Sequence, residues 1–432
     1  MIRPPGSDPI LDDALGGSDG SIVEDDHAPR PVDAASATAR VQGRRQWPLP
    51  RQADPDAPLL VVENLRTHFK LPRGWVQAVD GVSFRLNDGE ALGLAGESGC
   101  GKTTTALSLV RLLPPNARIR KGSAIRLYGI DLVPKTEAQL RRYRWREVSI
   151  VFQGAMNALN PVRRIREQIA EPIAVRLGEP KDKALARAGE LLELVGIPRQ
   201  RGAAYPHELS GGMRQRAMIA MALACDPAII IGDEPTTALD VMVQAQILEL
   251  LERLRRELGL SLILITHDLS VIADTCDRTL IMYAGKVAEE GPVDRIFRAP
   301  RHPYTQKLLG SFPNIRADRR ALDTIPGSPP DLLDPPPGCR FHPRCPMAMA
   351  VCKEVVPPET VFPDGVRVAC HLYPPGTDGA RLITTAEVLA RGGTSNASRL
   401  TRPPTVEPAI SASSSAATAA GVALDAVAGT DA

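Results

Sequence analysis

The chain has 432 residues, 43% hydrophobic and 24% charged, a composition that supports a buried core and excludes a fibrous or wholly disordered protein. Its 52 basic and 50 acidic side chains leave a net charge of +2, so no field over the whole surface draws in nucleic acid or anionic lipid. The longest apolar stretch, residues 217–232, is broken by Asp226 and Pro227 and falls short of the about 18 apolar residues a membrane-spanning helix needs. The opening residues are acidic and proline-bearing, unlike a secretory signal. Work at a membrane would therefore require docking on other subunits. The seven cysteines are expected in a reducing cytosol, where metal or catalytic use outweighs disulfide formation.

In chain order, residues 1–56 mix Pro, Asp, Ala, Arg and Ser without a hydrophobic period and read as a disordered tail. Short apolar runs at 59–62, 91–95, 148–152, 228–231, 262–266 and 279–283 suit buried parallel strands. Helix-favouring segments lie between them at 102–113, 165–175, 183–195, 210–224 and 241–258. The alternation predicts an α/β domain over 57–310, with a parallel sheet covered on both faces. Arg141, Arg142, Arg144 and Arg146 read as one solvated helical face. Residues 311–376 crowd proline and cysteine and lose periodicity, which predicts a small loop-rich module. From 377 to 432, Ala, Ser, Thr and Gly dominate, and a second disordered tail is expected. No internal repeat appears.

The segment Gly96-Glu97-Ser98-Gly99-Cys100-Gly101-Lys102-Thr103 directly follows the run 91–95 and opens a helix, which is the context that makes a P-loop. Its glycines let backbone N–H groups turn around phosphate oxygens, and the helix N-terminus adds a positive dipole end. Lys102 is expected on the β- and γ-phosphates of ATP and the Thr103 hydroxyl on Mg²⁺, with Thr104 in the same nucleotide-binding set. Farther on, Ile229-Ile230-Ile231 runs into Gly232, Asp233 and Glu234. Two carboxylates at a strand end are wasteful unless they face a ligand, so Asp233 fits a Mg²⁺-holding acid and Glu234 a general base. Gln153 and His267 end two further strands in the same way, and the four strand ends together make a constellation.

Leu209-Ser210-Gly211-Gly212-Met213-Arg214-Gln215-Arg216 offers a second anion site, with Ser210 as an N-cap. This segment, about 110 residues after the P-loop and just before Asp233-Glu234, resembles the signature of ABC transporter ATPases. The resemblance runs over residues 59–309 and implies a P-loop NTPase domain of ABC type with a helical signature subdomain. It further implies head-to-tail pairing with a second ATPase, in which Ser210, Gly211 and Gly212 cap the ATP held by the partner's P-loop. By the same resemblance Gln153 is the Q-loop residue contacting Mg²⁺ and water, and His267 the switch histidine sensing the γ-phosphate. Ala238-Leu239-Asp240 would be the D-loop at the dimer interface. Phe69 falls where the family stacks an aromatic ring on adenine, with Trp75 as a substitute. Met213, where many members have glutamine, and the small Gly232 depart from the pattern without removing a catalytic group.

Three stretches resemble the oligopeptide, dipeptide and nickel importer branch: residues 152–161, His302-Pro303-Tyr304-Thr305, and Ile325-Pro326-Gly327-Ser328-Pro329-Pro330. So does the module holding Cys339, Cys345, Cys352 and Cys370. That branch implies ATP-driven import of oligopeptides or dipeptides, or of nickel. Its parts would be two transmembrane permease subunits, a second and different ATPase, and an extracytoplasmic binding protein, with this chain on the cytoplasmic face of the membrane. The cysteine gaps contain no C-x₂-C pair, which counts against a zinc ribbon, although His342 and His371 are alternates for zinc. Four thiolates are also the ligand set of a [4Fe–4S] cluster, and related ATPases carry one here. Cys225 and Cys276 read as packing residues, and Cys100 as packing but alkylation-sensitive. The rival function is a non-transport ABC ATPase of DNA repair or translation. The short interval between P-loop and signature and the single ATPase unit argue against it.

Overall fold

The computed structural model describes residues 58–152, 154, 158–237, 239–311 and 325–390. The tail 1–56, Gln153, Ala238 and the segment 391–432 lie outside these described residues.

Five of the apolar runs form one parallel array: β3 (Ala91–Ala95), β7 (Val148–Val151), β8 (Ile229–Asp233), β9 (Ser261–Ile265) and β10 (Arg278–Tyr283), in the order β10-β3-β9-β8-β7. Strands buried on both faces need unbroken apolar runs, and every residue of β3, β8 and β9 is buried. The pleat sorts these side chains into two cores. Ala91, Ala95, Ile230, Leu262 and Leu264 face one side, where they meet helices α2 (Ile165–Leu177), α3 (Lys181–Leu194), α4 (Gly211–Ala222) and α5 (Val241–Leu258). Leu92, Leu94, Ile229, Ile231, Ile263 and Ile265 face the other.

That second face is covered differently from the sequence reading. The run at 59–62 belongs to a long strand, β1 (Leu60–Leu71), which pairs antiparallel with β2 (Gly74–Leu86). With β4 (Ala117–Ile119), β5 (Ala124–Leu127) and β6 (Ile130–Asp131) they form a separate antiparallel sheet. Its Val62, Leu65, Phe84, Leu86 and Ile125 share a core with α1 (Lys102–Leu109) and the central strands. β1 is half-polar along its length, so its short apolar run was legible but its partners were not.

Helix ends follow local chemistry. Ser210 caps α4 by accepting from the Met213 N–H at 3.3 Å, and Asp240 caps α5 through the Val243 N–H at 2.9 Å. α1 stops earlier than expected, with Arg111 at φ 55° and two prolines following. Residues 141–147 are turns rather than a helical face, and Arg144 is pinned to the carbonyls of Val110 (2.7 Å) and Arg111 (2.9 Å) and to Glu137 (2.6 Å).

The cysteine-rich region continues the central sheet. β11 (Lys286–Pro292) pairs with β10 and with β13 (Arg367–Ala369), which pairs in turn with β12 (Glu359–Val361). Beyond it, β14 (Arg381–Leu382) and a helix Thr385–Ala390 are ordered elements where a disordered tail from 377 was expected. The join is electrostatic as well as hydrogen-bonded. Glu290 of β11 is buried between Arg278, whose Nη1 donates to it at 2.8 Å, and Arg367, whose Nε donates at 2.8 Å. Burial alone would raise the Glu290 pKa, but the two guanidiniums more than offset it and hold the carboxyl below its ordinary value of 4.5. A depressed carboxyl stabilises the fold above its unfolded pKa and loses that stabilisation as pH falls. Glu290→Gln is therefore expected to lower stability at pH 7 by about 2 kcal/mol, because it removes the charge shared by buried Arg367 and half-buried Arg278 and leaves each with one other carboxylate, Glu359 and Glu90 respectively. It should also flatten the acid limb of the melting profile below about pH 4.5. Thermal unfolding across pH checks both, and a profile parallel to the parent would show the pair to be inert.

Candidate functional site

The parallel array brings the carboxyl ends of β3, β8 and β9 side by side, and the predicted phosphate residues gather there. Ser98, Gly99, Gly101, Lys102, Thr103, Thr104, Glu234 and His267 line one open cleft, with Ala78 of β2 at its rim. The loop between β3 and α1 turns through left-handed backbone at Gly96 (φ 142°), Gly99 (φ 78°) and Gly101 (φ 106°). A Cβ on Gly96 would lie 2.2 Å from the Met282 carbonyl oxygen, and one on Gly101 2.3 Å from that of Ala78. Close approach of neighbouring backbone thus requires glycine at both places.

Lys102 is buried with its Nζ donating to the Gly96 carbonyl (2.7 Å) and the Glu97 carbonyl (3.0 Å). Its ammonium is held at the mouth of the loop by main-chain oxygens, which leaves it able to turn to a phosphate. The Thr103 hydroxyl donates to Asp233 Oδ1 at 3.1 Å, so the two residues assigned to one cation are already in contact. Burial raises the Asp233 pKa, the Thr103 hydrogen bond lowers it, Glu234 raises it, and the net is a rise. Such a desolvated carboxylate is a ready partner for a divalent cation, and a hydroxyl and carboxylate oxygen are the hard donors Mg²⁺ takes.

Glu234 adopts φ 48° and its N–H donates to the Ile265 carbonyl at 2.8 Å. Its carboxylate accepts from the Thr237 hydroxyl at 3.0 Å and meets His267 Nδ1 at 3.2 Å. His267 is 70% exposed, so this pair faces the cleft rather than the core. A carboxylate held on two sides beside a phosphate loop can orient water and take its proton. Gly232, unusually small for a strand end, is closely packed: a Cβ would lie 3.2 Å from the Pro235 ring and 3.4 Å from the Leu264 side chain, so both would have to give slightly.

Other predicted residues stand apart from this cleft. Ser210 is exposed at the head of α4, and Ser210, Gly211 and Gly212 are not among the cleft's lining residues. Phe69 is half-buried on β1 opposite Val76 and Ala117, and Trp75 carries the Arg120 guanidinium 4.9 Å from its ring centre. Cys100 is 4% exposed and burial pushes its thiol pKa up, so the expectation of an alkylation-sensitive position is corrected to a shielded, protonated thiol. Cys225 and Cys276 are buried as expected.

Cys339, Cys345, Cys352 and Cys370 lie in one neighbourhood, close enough that Cys370, raised to about 12 chiefly by burial, also feels the other three. They do not stand as a ligand set. Among the described residues no three or more His, Cys, Asp or Glu side chains come together closely enough to hold a metal. The alternates are turned to backbone, His342 Nδ1 lying 2.9 Å from the Cys339 oxygen and His371 Nε2 2.8 Å from the Val355 oxygen. The [4Fe–4S] and zinc expectations thus find no preformed site in this geometry.

Two residues with no site role assigned from sequence, Tyr304 of the importer-branch stretch and Arg344, reach the P-loop from the C-terminal side. Tyr304 accepts from the Glu97 N–H at 2.8 Å, and Arg344 forks onto the Glu97 carboxylate at 2.7 and 2.9 Å. The signal was present, since an acid inside a phosphate loop asks for a cation. Nothing in the sequence said which cation answered.

No described helix is long and apolar enough to cross a membrane. Residues 79–237 match the family model described as ABC transporter, and residues 288–352 the one described as the C-terminal region of oligopeptide/dipeptide transporters. A "Probable peptide ABC transporter ATP-binding protein" of Sinorhizobium fredii is 46% identical over 323 residues, covering 74% of this chain and 96% of that one. The "Dipeptide transport ATP-binding protein" of Bacillus subtilis is 47% identical over 317 residues, covering 73% and 94%. With the P-loop, the strand-end acids and the signature helix all in place, the chain belongs to the ABC transporter family as one of its ATP-hydrolysing subunits.

Proposed function

We propose that this chain powers the import of short peptides through a membrane permease, and that its cleft works as follows. The observation carrying the cargo class is the match of residues 288–352 to the oligopeptide/dipeptide transporter C-terminal region, supported by relatives named for peptide and dipeptide transport. The loop amides and Lys102 bind the phosphates of ATP, and Thr103 with Asp233 holds Mg²⁺, with Gln153 as a further contact. Mg²⁺, when bound, offsets charge on the phosphate oxygens. Glu234 takes the proton of the attacking water and His267 keeps the Glu234 carboxylate aimed at the cleft. Phe69 is the residue assigned to stack on adenine, and the Arg120 guanidinium already packed over the Trp75 ring favours it over that substitute.

Ser210, Gly211 and Gly212 serve the nucleotide of a second ATPase, which we take to be a different chain. Support comes from the exposed cap of α4 and from Val241 and Met242, 81% and 72% exposed beside Asp240 at the head of α5. Apolar side chains so placed are ready to be buried against a partner. The chain sits peripherally on the cytoplasmic face of the membrane, docked on its permeases. Reconstitution in liposomes with those permeases, the partner ATPase and the binding protein tests the reading. ATP hydrolysis should rise on adding di- to pentapeptides, whereas stimulation by Ni²⁺ alone would place the cargo elsewhere.

The finer cofactor assignment, a [4Fe–4S] cluster on Cys339, Cys345, Cys352 and Cys370, rests on the four thiols sharing one neighbourhood in a region with little core of its own, and it requires them to draw together from an arrangement that is not yet a ligand set. Protein purified without oxygen should contain about four iron and four sulfide per chain, lost in Cys345→Ala. Zinc in their place would substitute the second metal, and neither would remove both.

A further inference from the structure

Glu97 is an anomaly. It puts a carboxylate in the loop whose amides and Lys102 are to receive the most negative part of ATP, where an uncompensated negative charge repels the ligand. It also does structural duty, since its carbonyl accepts from Lys102 Nζ at 3.0 Å. The compensation comes from a residue 247 positions away in sequence. Arg344 has 6% of its side chain exposed and donates through both terminal nitrogens to the Glu97 carboxylate, at 2.7 and 2.9 Å. The guanidinium is fixed by further bonds to the carbonyls of Pro326 (2.7 Å) and Gly327 (3.3 Å) and to the Tyr283 hydroxyl (3.2 Å). Its neighbour Phe341, 2% exposed, is wedged against Tyr283 and Tyr304, with ring centres 5.0 and 5.3 Å away. Tyr304 in turn holds the Glu97 amide. The loop between Cys339 and Cys345 therefore grips the side chain of one P-loop residue through Arg344, while Tyr304, against which its Phe341 packs, holds that residue's main chain.

We propose that Arg344 is a positioning residue for nucleotide binding: it neutralises and orients Glu97, so that the C-terminal region sets the affinity of the P-loop for ATP. This rests on the P-loop cleft being the nucleotide site. It goes further in making that site incomplete without residues beyond the ATPase core. A bidentate, largely buried pair of this kind is directional, and a lysine can supply its charge but not its fork.

The test is MgATP affinity of the full chain, read by displacement of a fluorescent ATP analogue, with Lys102→Ala as the control for the site. Arg344→Gln is expected to weaken MgATP about tenfold by exposing the Glu97 charge to the phosphates. Glu97→Gln in the same chain should bring affinity back to within about threefold of the parent, and Arg344→Lys should fall between. Recovery on removing the second partner is the outcome a packing role would not give. An unchanged affinity in Arg344→Gln, or a double variant no better than the single, overturns the proposal. Should Arg344→Gln fail to fold, Glu97→Gln alone decides: affinity equal to or tighter than the parent supports neutralisation, and a loss beyond about threefold refutes it. Parent protein that binds no MgATP, or binds it equally well with Lys102→Ala, would overturn the nucleotide site itself and the proposal with it.

Discussion

Replacing Glu234 with glutamine is expected to lower steady-state ATP hydrolysis by a hundredfold or more while leaving MgATP binding within a few-fold of the parent. The amide keeps the size of the carboxylate and still accepts from the Thr237 hydroxyl, 3.0 Å away, so the loop geometry survives. What disappears is the capacity to take a proton from water. Glu234 is also the residue at φ 48° whose N–H is tied to the Ile265 carbonyl at 2.8 Å, a sparsely populated backbone state for a non-glycine residue. The strand pairing that holds this backbone fixes where the carboxylate points, and glutamine inherits it. His267, 3.2 Å from the same carboxylate, should respond differently. His267→Ala removes an orienting contact but no proton acceptor, so its loss of turnover should be smaller. Phosphate release at saturating ATP, measured beside equilibrium binding, separates these cases. Undiminished turnover in Glu234→Gln would falsify its assignment as the base.

The second large effect is steric. Gly101→Ala should abolish measurable MgATP binding and lower thermal stability, whereas Gly99→Ala should do neither to a comparable degree. Both glycines have positive φ, 106° and 78°, and both belong to the same loop. They differ in what surrounds them. A methyl on Gly101 would meet the Ala78 carbonyl oxygen at 2.3 Å, a backbone atom of β2 that cannot swing away. At Gly99 nothing lies within 4 Å of the added carbon. The cost there is only left-handed backbone strain, about 1–2 kcal/mol. Thermal melts with and without MgATP distinguish the two. Equal effects would mean that conformation alone, not the close approach of β2 to the loop, requires glycine here.

Much of this site was legible because P-loop chemistry is local. Gly96, Lys102 and Thr103 fall within eight consecutive residues whose backbone turn and helix start are set by near neighbours. Asp233 and Glu234 announced themselves as acids ending an isoleucine run. What could be read this way was the chemistry of each segment; the contacts between segments could not. The Thr103–Asp233 hydrogen bond and the Glu234–His267 pair became contacts only once β3, β9 and β8 were ordered side by side.

Sequence by itself determined the parallel α/β core, the P-loop, the strand-end acids, the capped signature helix and the place of the chain in its family. Each depends on periodicity or on residues close in the chain. Tertiary structure alone decided that β1 and β2 form a second sheet over the core, since strand partners are chosen by long-range pairing that a single strand's pattern does not specify. It alone placed the C-terminal strands on the edge of the central sheet. It alone showed that Arg344 and Tyr304 hold Glu97, because a side-chain partner more than two hundred residues away is selected by the fold's geometry and leaves no periodic trace in the chain.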